Sequence, residues 1–496
     1  MRLNRSRALL AVGGVILTLA ACSQDLTVPN TNEPDVRKAL ATPGDVENMV
    51  KASIADWHQA TNAENPALAL AVMADALAGS YNNFGMNLSS SEPRRSYPNN
   101  TTGGDYTSMA QDPWYDNYKA LSEANDALGA VANGVGVDSE YIALAKLTQG
   151  LALGNIALIF DKGWVSDETT ELPVPVEDVK PYGEVAAYAV SKLDEVIALS
   201  QGADWSLPSD ALPVAGVDLD ADHMARLAST MAARILAYTP RNATENATVD
   251  WARVLQYAQN GISSGTPFDF SIQEDGGTIW WDGYKAYGNY GPWLRVSMRV
   301  IHEMNPNLPE KYTTCSSIAE DAAGFADARY ATDFRYIGSI PFACARGAWH
   351  FSNWEHARYS KKAENGDVSW YVGSFTGVAP MVLAAENDLL WAEALVRTGG
   401  DLTIAADKVN NTRVGRGHLP PVAADANAIL DAIHYEQDVE LLTTGGGLQW
   451  FNRRRIDGLQ PGTPRHLPIP AKELEIDELP IYTFGGAAPN PVFPEQ

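Results

Sequence analysis

Cysteine is scarce, with three residues in 496. So few thiols cannot hold a chain of this length together as a disulfide scaffold. Two of them, Cys315 and Cys344, have no histidines nearby at ligand spacing, which argues against a zinc site. The eight histidines do not cluster at metal spacing either, so no metal or other cofactor is expected. Positive charge is also in short supply. Thirty-six Lys and Arg stand against 61 Asp and Glu, a formal net charge of −25. Phosphate backbones are held by clustered Lys and Arg, so a nucleic-acid partner is not expected. Beyond the N-terminus no uninterrupted apolar run reaches the length needed to span a bilayer. Hydrophobic residues at 45% and charged residues at 20% exclude wholesale disorder and match a globular chain.

Catalytic signatures are missing as well. There is no H-E-x-x-H, no Walker A loop and no G-x-G-x-x-G opening a helix. Gly261-Ile262-Ser263-Ser264-Gly265 fits G-x-S-x-G, but a nucleophile elbow must follow a strand, and this one follows a predicted helix. It reads as a helix-ending turn. Asp218, Asp220 and Asp222 alternate as in a calcium loop. His223 occupies the glycine position and Ser229 the place of the closing glutamate, so a helix N-cap cluster fits better. Nothing selects a pair of catalytic carboxylates, and the chain is not read as an enzyme.

The N-terminus carries the most specific pattern. Arg2, Arg5 and Arg7 precede an apolar run from Ala8 to Ala20 that is short for a membrane span and suits a secretory signal. It ends Leu19-Ala20-Ala21-Cys22, small residues before a cysteine, as cleaved in bacterial lipoproteins. Residues 1–21 are therefore expected to be removed and Cys22 to carry the lipid anchor. Residues 22–34 read as a polar, proline-containing tether. Export implies an oxidising compartment. A disulfide between Cys315 and Cys344 is the favoured reading; two separate buried thiols are the alternative.

The body reads as helices at both ends around an irregular middle: an N-terminal helical region over 35–263, a loop-rich insertion over 264–380 and a helical, then irregular, region over 381–496. Helix is predicted from Asp35 to about Ala60, interrupted at Thr42-Pro43-Gly44-Asp45, where Thr42 is the expected N-cap and Pro43 the first helical residue. Further helices are predicted at 66–79, 113–132, 138–160, 181–200, 222–238, 250–260, 384–398, 402–414 and 427–443. In the 138–160 run Ile142, Ala145, Gln149, Ala152, Ile156 and Ile159 recur at steps of three and four. Gly150 and Gly154 would let neighbouring helices approach closely. Such helices with short connectors suggest antiparallel pairs stacked as a solenoid-like layer. No strict 34-residue period is visible, so any tetratricopeptide likeness is degenerate. The tail from Gly445 is read as mostly irregular.

Aromatic clusters are the chemistry that remains. Trp280, Trp281, Tyr284, Tyr287, Tyr290 and Trp293 are interleaved with Gly277, Gly283, Gly288 and Gly291. That many glycines argue against an amphipathic core helix and for a loop that displays its rings. Flat rings stack on the C–H faces of sugars or on peptide side chains, while Asp, Asn and Lys orient hydroxyls. Alternatively, the rings pin an irregular loop to the core. Tyr81-Asn82-Asn83-Phe84, bracketed by Gly79 and Gly85, sets two amides beside two rings and suits polyol recognition; the competing reading is a helix-stop turn. A third set, Trp349, Trp354, Trp370 and Tyr371, reads as core packing around a strand.

Several motifs, in order, resemble the SusD/RagB family of outer-membrane nutrient-binding lipoproteins. Val28-Pro29-Asn30 leads to Ala41-Thr42-Pro43-Gly44-Asp45-Val46, which is similar to the family's first helical segment. Trp114-Tyr115-Asp116-Asn117-Tyr118 with Ala124-Asn125 resembles its W..lY..i..aN stretch. Trp391-Ala392-Glu393-Ala394-Leu395 with Asn410 and Arg413, Glu436 through Leu441 with Trp450-Phe451-Asn452-Arg453-Arg454, and Leu467-Pro468-Ile469-Pro470 with Glu473 follow its C-terminal order. Gln437 stands where the family often has Arg, and 264–380 is not matched. The resemblance implies a mainly α fold of degenerate tetratricopeptide-like helix pairs with a loop-rich ligand face. It also implies a non-catalytic, lipid-anchored protein at the cell surface that binds oligosaccharide or peptide and acts as a lid on a SusC-like TonB-dependent transporter. Two other readings stand beside it. A surface glycoside hydrolase would lose turnover on changing one Asp or Glu, and a helical scaffold would bind proteins but no small ligand.

Overall fold

The computed structural model describes residues 40–79, 81, 83–265, 268–276, 279–339, 344–359 and 376–486. The signal segment, Cys22, the tether, Asn82, Trp370, Tyr371 and the side chain of Cys344 lie outside the described residues. Helix α1 spans Pro43–Asn62 and starts as predicted. The Asp45 N–H donates to Thr42 Oγ1 at 3.3 Å and the Thr42 N–H to Asp45 Oδ2 at 3.2 Å, closing a reciprocal cap with Pro43 in the first turn. Helix α2 is Glu64–Met73. It stops short of the predicted Gly79, because Leu77–Ala78 form strand β1 instead. Their high helix propensity yields to pairing with a distant strand.

Helix α3, Asp105–Ala132, carries Pro113 in its interior, whereas the proline was expected near its start. Asn117 Nδ2 donates to the Pro113 carbonyl at 2.6 Å there. The helices that follow match their periodicity: α4 Ser139–Ile159, α5 Tyr182–Ser200, α6 Ala221–Tyr238 and α7 Trp251–Asn260. Asp220 caps α6, accepting from the His223 N–H at 2.9 Å, as the aspartate cluster suggested. Near the C-terminus come α8 Ala384–Thr398, α9 Leu402–Arg413 and α10 Ala426–Val439. The tail is less irregular than expected, since it holds α11 Leu448–Arg455 and α12 Ala471–Ile476.

Successive helices pack on one another in chain order, α3 on α4, α4 on α5, α5 on α6 and α6 on α7, with α7 then meeting α8. Helix α4 is central. It is long and apolar enough to cross a bilayer, yet 89% of its apolar window is buried within the protein. A Cβ on Gly150 would lie 2.7 Å from Leu193 Cδ2, and one on Gly154 would lie 2.5 Å from Ile235 Cδ1. These two glycines let α5 and α6 seat against α4, at roughly 25 cal/mol per Å² of apolar surface removed from water.

Between the helical halves the chain forms small antiparallel pairs rather than one sheet. Strand β2, Phe270–Asp275, pairs with β6, Thr376–Val382, and β1 pairs with β3, Arg295–Val296. Strand β4, Phe334–Tyr336, pairs with β5, Trp354–His356, where Trp354 is fully buried as expected for that set. Cys315 is disulfide-bonded.

Candidate functional site

The β1–β3 pair builds the site. Leu77 faces Val296 and Ala78 faces Arg295, so the chain leaving β1 runs alongside the chain entering β3. Gly79 is tight in this crossing, since a Cβ there would lie 2.8 Å from Leu294 Cδ2. The antiparallel register therefore brings Tyr81, just beyond β1, to Trp293, just before β3. Their rings stack at 5.9 Å and 28°. Trp293 meets Tyr287 at 4.8 Å, and Tyr287 meets Phe84 at 5.9 Å. Two aromatic clusters some 200 residues apart in sequence thus merge into one run, Tyr81, Trp293, Tyr287 and Phe84. All four rings are half-buried, with surface left for a ligand.

Phe84 sits at φ 54° and Gly85 at φ 71°, two consecutive left-handed residues. Glycine meets that requirement freely, but a bulky residue is strained there by about 1–2 kcal/mol. The strain turns the chain into the one-turn helix Met86–Ser89. Asn83 and Asn87 flank the turn, both half-buried. The Asn87 N–H donates to the Tyr81 carbonyl at 2.9 Å and ties the loop shut. His350 backs it, its Nδ1 2.8 Å from Ser90 Oγ.

The glycines between the rings have a different role from the one expected. Gly283–Gly288 is a short helix, not a loop, N-capped by Asp282. A Cβ on Gly283 would lie 2.9 Å from both Glu64 Cδ and Trp281 Cζ3, and one on Gly288 would lie 3.1 Å from Thr443 Cγ2. Close packing, not turn conformation, requires them. Beneath this helix a fully buried ion pair anchors the platform: Lys285 Nζ donates to Asp282 Oδ2 and to the Thr444 carbonyl, each at 2.7 Å.

The six aromatics of the larger cluster divide into two sets. Trp280, 8% exposed, and Tyr284, fully buried, lie in the core, where Trp280 packs edge-on to His58 at 5.1 Å. Trp281, Tyr287, Tyr290 and Trp293 are half-buried. The Gln59 amide donates to the Trp281 carbonyl at 3.1 Å and holds that end. Behind Trp280, His58 Nε2 and Glu274 Oε1 lie 3.4 Å apart without hydrogen-bond geometry, both inaccessible to solvent. Burial lowers His58 to about 4 and raises Glu274 well above its ordinary range, so at neutral pH the pair is uncharged.

Sequence reasoning missed the acidic edge. Glu64 opens α2 beside Gly283 and Trp281, and burial, then the negative charge of Asp282 and Asp112, raise its pKa. Asn65 Nδ2 donates to Asp112 Oδ2 at 3.1 Å. No motif marks these residues; the only local sign was the proline that follows them. Among the described residues no group of three or more His, Cys, Asp or Glu side chains is placed to hold a metal ion.

No protein-family model and no curated protein matches the chain. Solved structures do. A SusD homologue from Bacteroides thetaiotaomicron aligns over 88% of this chain and 96% of its own, with a TM-score of 0.60 at 17% identity. The fold is SusD-like. A SusD superfamily protein from Parabacteroides distasonis gives 0.58 at 15% identity over 89% of this chain and 97% of its own. A SusD-like carbohydrate-binding protein from Bacteroides fragilis gives 0.58 at 14% identity over 83% and 86%. The C-terminal motif residues Glu393, Gln437 and Arg454 are buried within this fold. Glu393 is bound bidentately by Arg455, and Gln437 donates to the Tyr238 hydroxyl at 2.5 Å.

Proposed function

We propose that this SusD-like chain is a SusD/RagB-family surface lipoprotein. It captures oligosaccharide on the run of Tyr81, Phe84, Tyr287 and Trp293 and passes it to a SusC-like TonB-dependent outer-membrane transporter. The convergence of those four half-buried rings on one face carries the reading. Sugar rings present flat C–H faces to such a surface, and each stacked ring contributes about 1 kcal/mol, so affinity is built from several weak contacts. Asn83, Asn87 and Glu64 border the rings with groups that bond hydroxyls. A lipid on Cys22 would hold the protein to the membrane, and the tether would let the body reach the transporter. A peptide offering aliphatic side chains would use the same rings. The process is capture without bond cleavage.

Hydrolysis is the second reading, because Glu64 lies beside Tyr287 with Asp112 near it, and burial raises both pKa values. One experiment separates the two. Mature protein from Ser23 onward is applied to glycan and peptide arrays beside a Tyr287→Ala/Trp293→Ala variant, and bound glycans are analysed for cleavage. Capture predicts glycan binding that the variant loses, with the glycan recovered intact. Cleavage that stops in Glu64→Gln would establish an enzyme instead.

A further inference from the structure

We propose a second binding site, for a small organic cation carrying an ammonium or guanidinium group, in the cleft between α3, the segment 164–174 and α12. The cleft has a volume of about 310 Å³, enough for an arginine- or lysine-sized side chain, and shares no residue with the aromatic face. Its base is Trp114, 1% exposed, and its walls are Tyr118 and Trp164, both half-buried. Tyr118 lies 4.8 Å from Trp114 at 59°, and Trp164 lies 6.0 Å from Trp114 at 80°. Rings at such steep angles form a corner rather than a stack, the arrangement that surrounds a cation with the negative faces of several π systems.

The corner is rigid before any ligand arrives. The Tyr118 hydroxyl accepts from the Trp164 N–H at 2.7 Å and donates to the Trp164 carbonyl at 3.1 Å. The Trp164 indole N–H donates to the Val176 carbonyl at 3.3 Å. Asn125 accepts from the Gln149 amide at 2.7 Å and donates to Ser166 at 3.1 Å, fixing the wall between α3 and the loop. Preorganisation of this kind lowers the entropic cost of binding.

Charge selects the ligand. Among the described residues two carboxylates line the cleft, Asp126 and Glu473, and no Lys or Arg does. One Glu473 oxygen accepts from the Tyr115 hydroxyl at 2.9 Å. Burial raises the pKa of both carboxyls; for Glu473 the Tyr115 hydrogen bond opposes this, nearby Asp477 adds to it and exposed Lys472 opposes it. A bound cation would relieve that cost. Leu172, 66% exposed, sits on the lip and would cover the alkyl part of the ligand. The site uses Trp114, Tyr118, Asn125 and Glu473, motif residues from opposite ends of the chain that the aromatic face leaves unused, and it is independent of the glycan reading.

The test is calorimetric titration of the mature protein with agmatine, with glucose as the uncharged control. Saturable agmatine binding is expected, with glucose inert. Asp126→Asn and Glu473→Gln, which keep shape and remove charge, should each weaken it about tenfold, the scale of one charge-assisted contact. Trp293→Ala should leave it unchanged. In parallel, agmatine should shift the Trp164 indole N–H resonance of the native protein, a readout that holds if either variant fails to fold. Absence of saturable binding, equal affinity for glucose, binding indifferent to both isosteric changes, or an unmoved Trp164 resonance would each overturn the proposal.

Discussion

The helical layer and the aromatic face each bury a carboxyl, Glu393 and Glu274, and hold it differently. In the layer Glu393 has a buried cationic partner. Glu393, 1% exposed, accepts from Arg455 at 2.8 and 2.6 Å, and Arg455 also donates to Asn452. Arg454 donates to the Leu158 carbonyl at 2.6 Å and the Tyr238 carbonyl at 2.9 Å, at the C-terminal ends of α4 and α6. Behind the face, His58 and Glu274 are buried, uncharged and poorly bonded, and Phe84 is held in a left-handed conformation. Groups held this way persist only where the surrounding fold over-determines them.

The largest effect should come from breaking a pair in the layer. Glu393→Ala leaves Arg455 buried without its partner and should cost about 3–5 kcal/mol in urea unfolding. Burial pushes Glu393 upward, but the charge and hydrogen bonds of Arg455 prevail and bring it to about 2 from its ordinary 4.5. A depressed carboxyl stabilises the fold above its unfolded pKa. This contribution should therefore vanish as pH falls from about 4.5 towards 2, a slope the variant lacks.

On the face, Tyr287→Ala should reduce glycan affinity by about 1 kcal/mol, roughly fivefold, with a smaller loss of stability than in the layer. Phe84→Gly sharpens the contrast further. It relieves about 1 kcal/mol of backbone strain, so thermal stability should hold although the ring contact with Tyr287 is lost, while glycan binding weakens. Glu274→Gln should have the smallest effect, under about 1 kcal/mol below the ordinary carboxylate range, because the amide matches the shape of a protonated acid. A raised carboxyl makes the native state favour the proton, so the wild type should lose stability as pH rises above the ordinary carboxylate range, and the variant should not. A Glu274→Gln loss as large as that of Glu393→Ala would erase the distinction between the regions.

The helical layer was largely legible in the sequence, because its helices are long, periodic and capped by local signals such as Thr42, Asp220 and Asp425. Its errors arose where tertiary contacts overrode local preference: Leu77 and Ala78 pair with a strand more than 200 residues away, and Pro113 is carried inside α3. Helices α11 and α12 are short and flanked by Gly and Pro, which hid them. Composition pointed to the aromatic residues of the face, but not to their grouping. A strand of two residues sets the register that joins Tyr81 to Trp293, and two residues carry no periodicity. Counting rings could not separate Trp280 and Tyr284, which face the core, from Tyr287 and Trp293. Glu64 at the face is joined by Asp112 through packing of α2 on α3, which no local pattern encodes.

The central claim is that the half-buried rings recognise the ligand and the buried ones only support them. Glycan-array binding of the native mature protein, Trp293→Ala and Trp280→Phe, each with its melting temperature, tests it most directly. The account predicts that Trp293→Ala loses binding while remaining folded, and that Trp280→Phe keeps it. Binding that survives in Trp293→Ala, or a native protein that binds no glycan, would contradict it.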